Sequence, residues 1–132
     1  MTSFSEVSLR RLNTCHADIV CVCRELIKQY DFCVLEGHRG KEAQNIAYKQ
    51  GNSRLVWPNS AHNKYPSLGV DLAPYPLDWQ NLERFKEMIY RFDALAHLLR
   101  ERGEIHSHFI YGAFWKKWQD YPHIEIKQET EK

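Results

Sequence analysis

The apolar residues in the second half of the chain repeat at the spacing of an α-helix. They are Leu82, Phe85, Ile89, Phe92, Ala96 and Leu99. Residues three and four apart lie on one face of a helix, so the pattern predicts a long amphipathic helix that ends near Gly103. Its apolar face must be covered by other parts of the chain, which makes this helix the scaffold of a core.

A second helical pattern runs through the N-terminal part of the chain. Ser3 and Glu6 have the spacing of a capping box, and apolar residues then recur at helical spacing from Leu9 to Tyr30. We expect one continuous amphipathic helix that ends near Tyr30. A shorter helix is predicted over residues 41–50, where Gly51 provides the stop.

Short apolar runs between the helices predict strands. Residues 32–35 suit a buried strand, residues 104–111 and 123–127 suggest two more, and residues 68–73 could form another. Helices separated by such strands indicate an α+β fold, in which a small, mostly antiparallel sheet packs against helices. The rest of residues 52–76 is rich in Ser, Asn, Gly and Pro, and so long a segment without regular structure is usually functional or disordered.

Length and charge limit the classes of function. A chain of 132 residues is enough for one core, so we expect residues 1–132 to form a single domain. Its formal net charge of +1 gives no basic field for nucleic acid. No apolar run approaches the roughly 20 residues that cross a membrane, so we expect no membrane insertion. The first residues lack the pattern of a signal peptide, and we expect a monomer that folds in a cytoplasm.

The four cysteines do not suggest a metal site. Cys15, Cys21 and Cys23 lie in the segment predicted as the first helix, and Cys33 lies beyond it. The spacing of Cys21 and Cys23 is shorter than that of paired zinc ligands, and no second cysteine pair could complete a four-sulfur site. We therefore expect reduced, mostly buried thiols.

Three other residues could bind a catalytic metal. A catalytic zinc ion takes about three His, Asp or Glu ligands and leaves one position open to water. His62, Asp71 and His123 would supply such a set, and bound zinc would lower the pKa of that water to about 7. Asp120 would be placed to take the water's proton. Taken singly, each ligand candidate is also an ordinary turn or surface residue, and Asp120 is also typical of a cap.

The segments around these residues resemble known signatures. SAHNKYPSLGVDL, residues 60–72, and DYPHIEI, residues 120–126, are similar to motifs of the zinc D-alanyl-D-alanine carboxypeptidases and dipeptidases, and most of all to those of the phage L-alanyl-D-glutamate endopeptidases. EGHRGKEAQ, residues 36–44, resembles the first motif of the same family, an arginine after a strand with a glutamine a few residues on. The three motifs occur in the family's order and span most of the chain.

The resemblance implies a role for five residues. It implies that His62, Asp71 and His123 hold Zn²⁺, that Asp120 is the catalytic base and that Arg39 stabilises the oxyanion of the tetrahedral intermediate. A guanidinium suits that role because it is always charged and offers several donors to an oxygen that gains negative charge. Without the resemblance, Arg39 would be interpreted as a solvated turn residue.

Further residues near the motifs are weaker candidates. Gln44 and Ser60 match family positions near the site and are candidate substrate-binding residues, although Ser60 could simply bond its own loop. Glu125 shares a strand face with the histidine of its motif and could orient it, because metal-bound histidines usually have such a partner. His106 and His108 alternate on one strand face, but the resemblance gives them no role and we interpret them as structural.

Two segments depart from the family pattern. The gap between His62 and Asp71 is two residues longer than the commonest form and contains Pro66 and Ser67, but a longer loop costs little free energy and can still return the aspartate to the metal. YGAFW, residues 111–115, stands where phage members often carry small and polar residues between two tryptophans, which affects the expected substrate groove. Aromatic residues could wall that groove or pack at its rim, namely Trp57, Tyr65, Tyr75, Trp115 and Trp118.

Taken together, the resemblance implies a zinc-dependent peptidase that uses zinc-activated water to cut the stem peptide of peptidoglycan, and the expected bond is L-alanyl-D-glutamate. A D-alanyl-D-alanine carboxypeptidase would share these residues. A non-catalytic zinc module, or a virion component that binds wall without cutting it, is a further alternative, although a structural site would need neither Asp120 nor Arg39. The setting that we expect is a phage lysin that reaches the wall after release from the host cytoplasm.

Overall fold

The computed structural model describes residues 2–128. Its helices and strands, in chain order, are α1 (Glu6–Leu12), α2 (Ala17–Leu26), β1 (Phe32–Glu36), α3 (Lys41–Lys49), β2 (Gly69–Pro74), α4 (Leu82–Glu101), β3 (Phe109–Tyr111) and β4 (His123–Ile126). Within this range, the strands form one antiparallel sheet in the order β1-β2-β4-β3. The predicted α+β fold is confirmed.

Helix α4 is the scaffold of the core, as its apolar pattern predicts. It packs against α2 and β2. Its buried face consists of Phe85, Met88, Ile89, Phe92, Ala96 and Leu99. Each large apolar side chain buried in this way stabilises the fold by about 1.5–3 kcal/mol. The helix ends at Glu101, and Gly103 follows with a φ of 76°, a conformation that glycine adopts without strain.

The prediction of one continuous N-terminal helix is wrong. Helix α1 ends at Leu12, α2 begins at Ala17, and Ser5 rather than Ser3 caps α1. Between the helices, Ser67 of the long loop donates its N–H to the carbonyl of Thr14 at 2.8 Å, and its own carbonyl accepts from the N–H of His16 at 2.9 Å. These tertiary hydrogen bonds take backbone groups that a continuous helix would use. The helix therefore breaks here, although the apolar periodicity of the sequence continues across the break.

The strand predicted over residues 104–111 is shorter than expected. Only Phe109–Tyr111 pairs with β4. The N–H groups of His106 and Ser107, together with the Ser107 hydroxyl, instead donate to the Asp18 carboxylate at the start of α2. Backbone groups committed to a side chain cannot join the sheet, so this segment crosses from α4 to β3 as a tethered loop.

All four cysteines are free thiols, as the sequence predicts. Cys15 and Cys23 are buried, and burial raises the pKa of the Cys15 thiol to about 12. Such thiols are unreactive at neutral pH because the thiolate is the nucleophile. Within residues 2–128, none of the helices combines the length and the apolar character that crossing a membrane requires.

Candidate active site

Strand pairing brings the carboxylate and one histidine of the candidate site together. In the antiparallel register, Asp71 of β2 lies opposite His123 of β4 on one side and opposite Glu36 of β1 on the other. Directly opposed residues in adjacent strands hold their side chains close together on one face of the sheet. The pairing of β2 with β4 therefore joins two residues that are far apart in sequence.

A short 3₁₀ turn at Ala61–Asn63 supplies the second histidine. Ser60 caps this turn, because its hydroxyl accepts from the His62 N–H at 3.2 Å while its own N–H donates to the Asn63 side chain at 3.0 Å. The turn is fixed to the start of β2 by a hydrogen bond from the N–H of Leu68 to the carbonyl of Ala61. His62 is thereby held over the sheet, and it is buried.

The three side chains meet at three atoms. His62 Nε2 lies 3.1 Å from Asp71 Oδ1 and 3.2 Å from His123 Nδ1, and the last two atoms are 3.0 Å apart. Zinc bonds of about 2.0–2.1 Å to nitrogen and oxygen in tetrahedral geometry place ligand atoms about 3.3 Å apart. The three donor atoms are therefore spaced closely enough to bind one tetrahedral zinc ion together.

Hydrogen bonds behind the histidines fix which ring nitrogens face the centre. His62 Nδ1 donates to the carbonyl of Gly37 at 2.7 Å, and His123 Nε2 donates to the Glu125 carboxylate at 2.7 Å. Because both partners only accept, the inward nitrogens of the neutral rings carry lone pairs. Two lone pairs and a carboxylate oxygen thus converge without a donor between them, which is the chemistry of a cation site.

The pKa shifts of His123 and Asp71 also indicate that a positive charge is favoured between these side chains. Burial opposes the positive charge of His123, but hydrogen bonds to Asp71 and Glu125 outweigh it and raise the pKa of His123 to about 10. Burial also opposes ionisation of Asp71, but the charge of His62 and hydrogen bonds from both histidines hold the pKa of its carboxyl well below the usual range. Without a metal, a proton would take the position that a divalent cation can fill.

Asp120 lies in the same pocket, at the beginning of the turn that leads into β4. Its carbonyl accepts from the His123 N–H at 3.2 Å, and its N–H donates to the carbonyl of Gly112 at 2.9 Å. Burial first, and the charge of Asp71 second, raise the pKa of the Asp120 carboxyl. A carboxylate with a raised pKa accepts a proton more readily, which is what a general base requires.

Arg39 follows β1 and is held by several partners. Its Nε donates to Glu36 at 3.2 Å, one Nη donates to Gln44 at 2.8 Å, and the other Nη lies 4.0 Å from Asp71. Its own N–H donates to the carbonyl of His62 at 2.7 Å. The guanidinium is only 10% exposed and lines the pocket beside the converging atoms.

The two candidate substrate-binding residues differ in their positions. Ser60 lines the pocket and caps the turn of His62. Gln44 is fully buried, where its amide oxygen accepts from Arg39 and Asn63 and its amide nitrogen donates to Ser53 and to the carbonyl of Leu55. All its hydrogen-bonding capacity is used inside the protein, so its position suits holding Arg39 rather than touching a substrate.

The pocket beside the converging atoms has a volume of about 300 Å³. Trp115 and Trp118 line it, and Trp115 packs on His123 with ring centroids 5.3 Å apart. The other aromatic candidates, Trp57, Tyr65 and Tyr75, are not among the residues that line it. The histidines interpreted as structural, His106 and His108, also lie outside this lining.

Sequence reasoning missed several residues of this site. Gly37 contributes a backbone carbonyl, and Gly112 allows a close approach, since a Cβ there would overlap the backbone oxygen of Asp120. Arg54 and Lys117 also line the pocket. Gly37 lies inside a family motif but was given no role, and nothing in the sequence showed that residues 54 and 117 line the same pocket.

Comparison with known proteins gives a family and a similar fold for this chain. The chain matches the family described as phage L-alanyl-D-glutamate peptidase over residues 1–131. Its fold is similar to the crystal structure of the Serratia marcescens L-Ala D-Glu endopeptidase ChiX, with a TM-score of 0.75 and 24% sequence identity over 94% of this chain and 89% of that chain. The match spans all three motifs and the candidate site. The chain therefore belongs to the phage L-alanyl-D-glutamate peptidase family.

Proposed function

We propose that this protein is a zinc-dependent endopeptidase that hydrolyses the bond between L-alanine and D-glutamate in peptidoglycan stem peptides. The observation that carries the proposal is the convergence of His62, Asp71 and His123 on one point, with Asp120 and Arg39 in the same pocket. Family membership over nearly the whole chain supports the choice of peptide and bond. Two nitrogen donors and one oxygen donor, spaced as three ligands of a tetrahedral ion would be, support zinc as the metal.

Zinc held by these three residues would act as a Lewis acid on the substrate carbonyl and would lower the pKa of a bound water. Asp120 takes a proton from the water while the oxygen of that water bonds to the carbonyl carbon. Asp120 then passes that proton to the nitrogen of D-glutamate as the carbon–nitrogen bond breaks. The products are a peptide that ends in the carboxylate of L-alanine and a peptide that begins with a free amine.

Arg39 acts on the carbonyl oxygen. Negative charge develops there as water adds, and a guanidinium that is already oriented stabilises it without reorganisation. Its orientation is fixed by Glu36 and by the buried amide of Gln44. In this mechanism Ser60 contributes by holding His62, and its position in the pocket lining places it next to a bound substrate.

We further propose that residues 1–132 act as a single catalytic domain and as a monomer. The single sheet and the shared core of the described residues support one domain. In a phage infection the protein would be made in the host cytoplasm and would reach the wall after release. Its small net charge does not favour nucleic acid as the partner, and the pocket that contains the candidate site supports wall peptide instead.

The test is mass spectrometry of purified peptidoglycan fragments incubated with the zinc-loaded protein. Wild type is expected to release a new amine on D-glutamate, while Asp120→Asn binds zinc equally but loses activity by roughly 10²–10⁴-fold. Asp78→Asn is the matched control, because it makes the same change on an exposed loop outside the pocket.

Other outcomes would replace the proposal. Release of a terminal D-alanine instead would identify a carboxypeptidase. If fragments remain uncut although zinc is bound, the protein is a wall-binding or structural module and not a peptidase.

A further inference from the structure

Two cations of the pocket have no role in the mechanism above. Arg54 and Lys117 line the same pocket as the candidate zinc ligands. Among residues 2–128, neither of them forms an ion pair, whereas Arg39 is paired with Glu36. The pocket is thus lined by two exposed cations that no protein carboxylate pairs within the described residues.

The loop that carries Arg54 is held in place on both sides. The Ser53 hydroxyl and the Leu55 carbonyl both accept hydrogen bonds from the buried amide of Gln44, at 2.9 and 2.6 Å. The same amide group binds Arg39 through its oxygen. One buried side chain therefore fixes the backbone around Arg54 relative to the guanidinium proposed to act on the scissile carbonyl.

The side chain of Arg54 is also positioned. Its guanidinium carbon lies 5.5 Å from the centroid of the Trp118 ring, and Trp118 also lines the pocket. A cation over an aromatic face is attracted by the ring, while the N–H groups in the guanidinium plane stay available to an acceptor. Within the described residues the Arg54 guanidinium thus rests on Trp118 and keeps its N–H donors for an acceptor, and Lys117 is the residue next to Trp118 in the chain.

The substrate carries a group that matches this arrangement. D-glutamate on the amine side of the cleaved bond has two carboxyl groups, and only one of them continues the peptide. The other is a free carboxylate a few bonds from the scissile nitrogen. The rest of the pocket contains the carboxylates of Asp71, Asp120 and Glu125, which would repel that group unless a nearby cation compensates.

We propose that Arg54 and Lys117, with Trp118 behind the guanidinium, bind the free carboxylate of the acidic residue on the amine side of the cleaved bond. They set the preference for an acidic residue at that position. Planar, paired N–H donors make arginine the better carboxylate partner, so Arg54 contributes more than Lys117. This inference rests on the proposed function and adds the part of the substrate that the site recognises.

The experiment compares two synthetic peptides that differ in one group. Both contain L-alanyl-D-glutamate linked onward through one carboxyl; in the first the other carboxyl is free, and in the second it is an amide. Steady-state kinetics of the zinc-loaded protein give kcat and KM for each. Arg54→Gln and Lys117→Gln remove the proposed cations, and Arg24→Gln removes the same charge from the exposed surface of α2 as the matched control.

Wild type and Arg24→Gln are expected to prefer the carboxylate peptide by roughly 10- to 100-fold in kcat/KM, mainly through KM. Arg54→Gln is expected to bring the ratio for the two peptides close to one, and Lys117→Gln to reduce it less. Added salt should lower the preference in wild type, because the cations are exposed to solvent. An equal preference in wild type and Arg54→Gln, or the same loss in Arg24→Gln, would overturn the proposal.

A second measurement separates this inference from the proposed function. Calorimetric titration of both peptides into zinc-loaded Asp120→Asn reports binding without turnover. If the wild type cuts neither peptide, the proposed function fails, yet tighter binding of the carboxylate peptide that is lost in Asp120→Asn/Arg54→Gln still supports the subsite. Equal binding of both peptides would overturn the proposed carboxylate subsite, whether or not the wild type is active.

Discussion

At the scale of single residues, the site depends on groups that touch no substrate. The Gly37 carbonyl and the Glu125 carboxylate each bond the outer nitrogen of a histidine, so the inner nitrogen could bind a metal. The role of Glu125 was predictable from strand alternation, because it shares a face with His123. The role of Gly37 was not, because a backbone carbonyl leaves no mark on the residue type.

Replacing Glu125 by glutamine should weaken metal binding. A neutral amide accepts a weaker hydrogen bond from His123 than a carboxylate does, and loss of such a partner typically costs 10–100-fold in metal affinity. We expect about 10-fold weaker zinc binding, measured by competition with a chromogenic chelator. Glu42→Gln, on the exposed start of α3, is the control and should bind zinc as wild type does. An unchanged affinity in Glu125→Gln would show that this hydrogen bond does not tune the metal.

Asp18 gives a prediction on stability and pH. Burial opposes its ionisation, but hydrogen bonds from Ser107 and His106 outweigh burial and lower the pKa of its carboxyl in the folded state. The ionised group therefore stabilises the fold above its unfolded pKa of about 4, and this contribution is lost as pH falls through the lower folded pKa. Asp18→Asn should lose on the order of 1 kcal/mol of unfolding free energy at neutral pH.

Urea unfolding of both proteins between about pH 7 and pH 3 checks this sign. The difference in unfolding free energy between wild type and Asp18→Asn should become smaller as the pH falls. A gap that stays constant would mean that the carboxylate charge contributes nothing and that only the shape of the side chain matters.

At the scale of elements, the sheet register assembles the site. Strands β2 and β4 were both predicted from short apolar runs, and Asp71 and His123, which they carry, were predicted as metal ligands. What the pattern could not predict was their pairing, because pairing is a property of the whole sheet. The break between α1 and α2 was missed for a related reason, since its hydrogen bonds go to the distant Ser67 and the local apolar periodicity continues.

Gly112 controls the approach of two elements. It begins the 3₁₀ turn after β3, and a Cβ at this position would overlap the Asp120 backbone and lie 3.1 Å from the Cβ of His123. Gly112→Ala must therefore shift the segment that carries Asp120, the proposed general base, and His123, a proposed metal ligand, at a cost of about 1–3 kcal/mol. We expect both lower thermal stability and a lower kcat on wall fragments.

Gly40→Ala is the control for this substitution. A Cβ at Gly40 has no neighbouring atom within 4 Å, and the residue has a negative φ that alanine adopts readily. It should leave kcat unchanged. If Gly112→Ala has wild-type kcat and stability, the tight contact with Asp120 is not needed for the site.

At the scale of the whole molecule, the candidate metal site links parts of the chain that are far apart in sequence. The loop before β2, strand β2 and strand β4 each contribute one ligand. Such a site rarely exists in the unfolded chain, so the binding free energy of a metal adds to the free energy of folding. The proposal of zinc could be reached from the sequence only through the family motifs, because single histidines and aspartates are too common to identify ligands.

Zinc should therefore raise the thermal stability of the protein. At free zinc about 1,000-fold above the dissociation constant, the gain is about 4 kcal/mol, and chelation should reverse it. Asp120→Asn should keep the zinc-dependent shift in Tm and His123→Ala should lose it. A shift of equal size in His123→Ala, measured by calorimetry, would place the metal elsewhere.

The hydrogen bonds between Ser67 and the helix break have a consequence for how sequences of this family diverge. The loop from His62 to Asp71 and the segment from Thr14 to His16 share a two-way backbone pairing, so neither can change length alone without orphaning the other's polar groups. Insertions in the loop and interruptions of the first helix should therefore be inherited together. Relatives with a shorter loop are expected either to have a continuous first helix or to satisfy the backbone groups of the helix break with other hydrogen bonds.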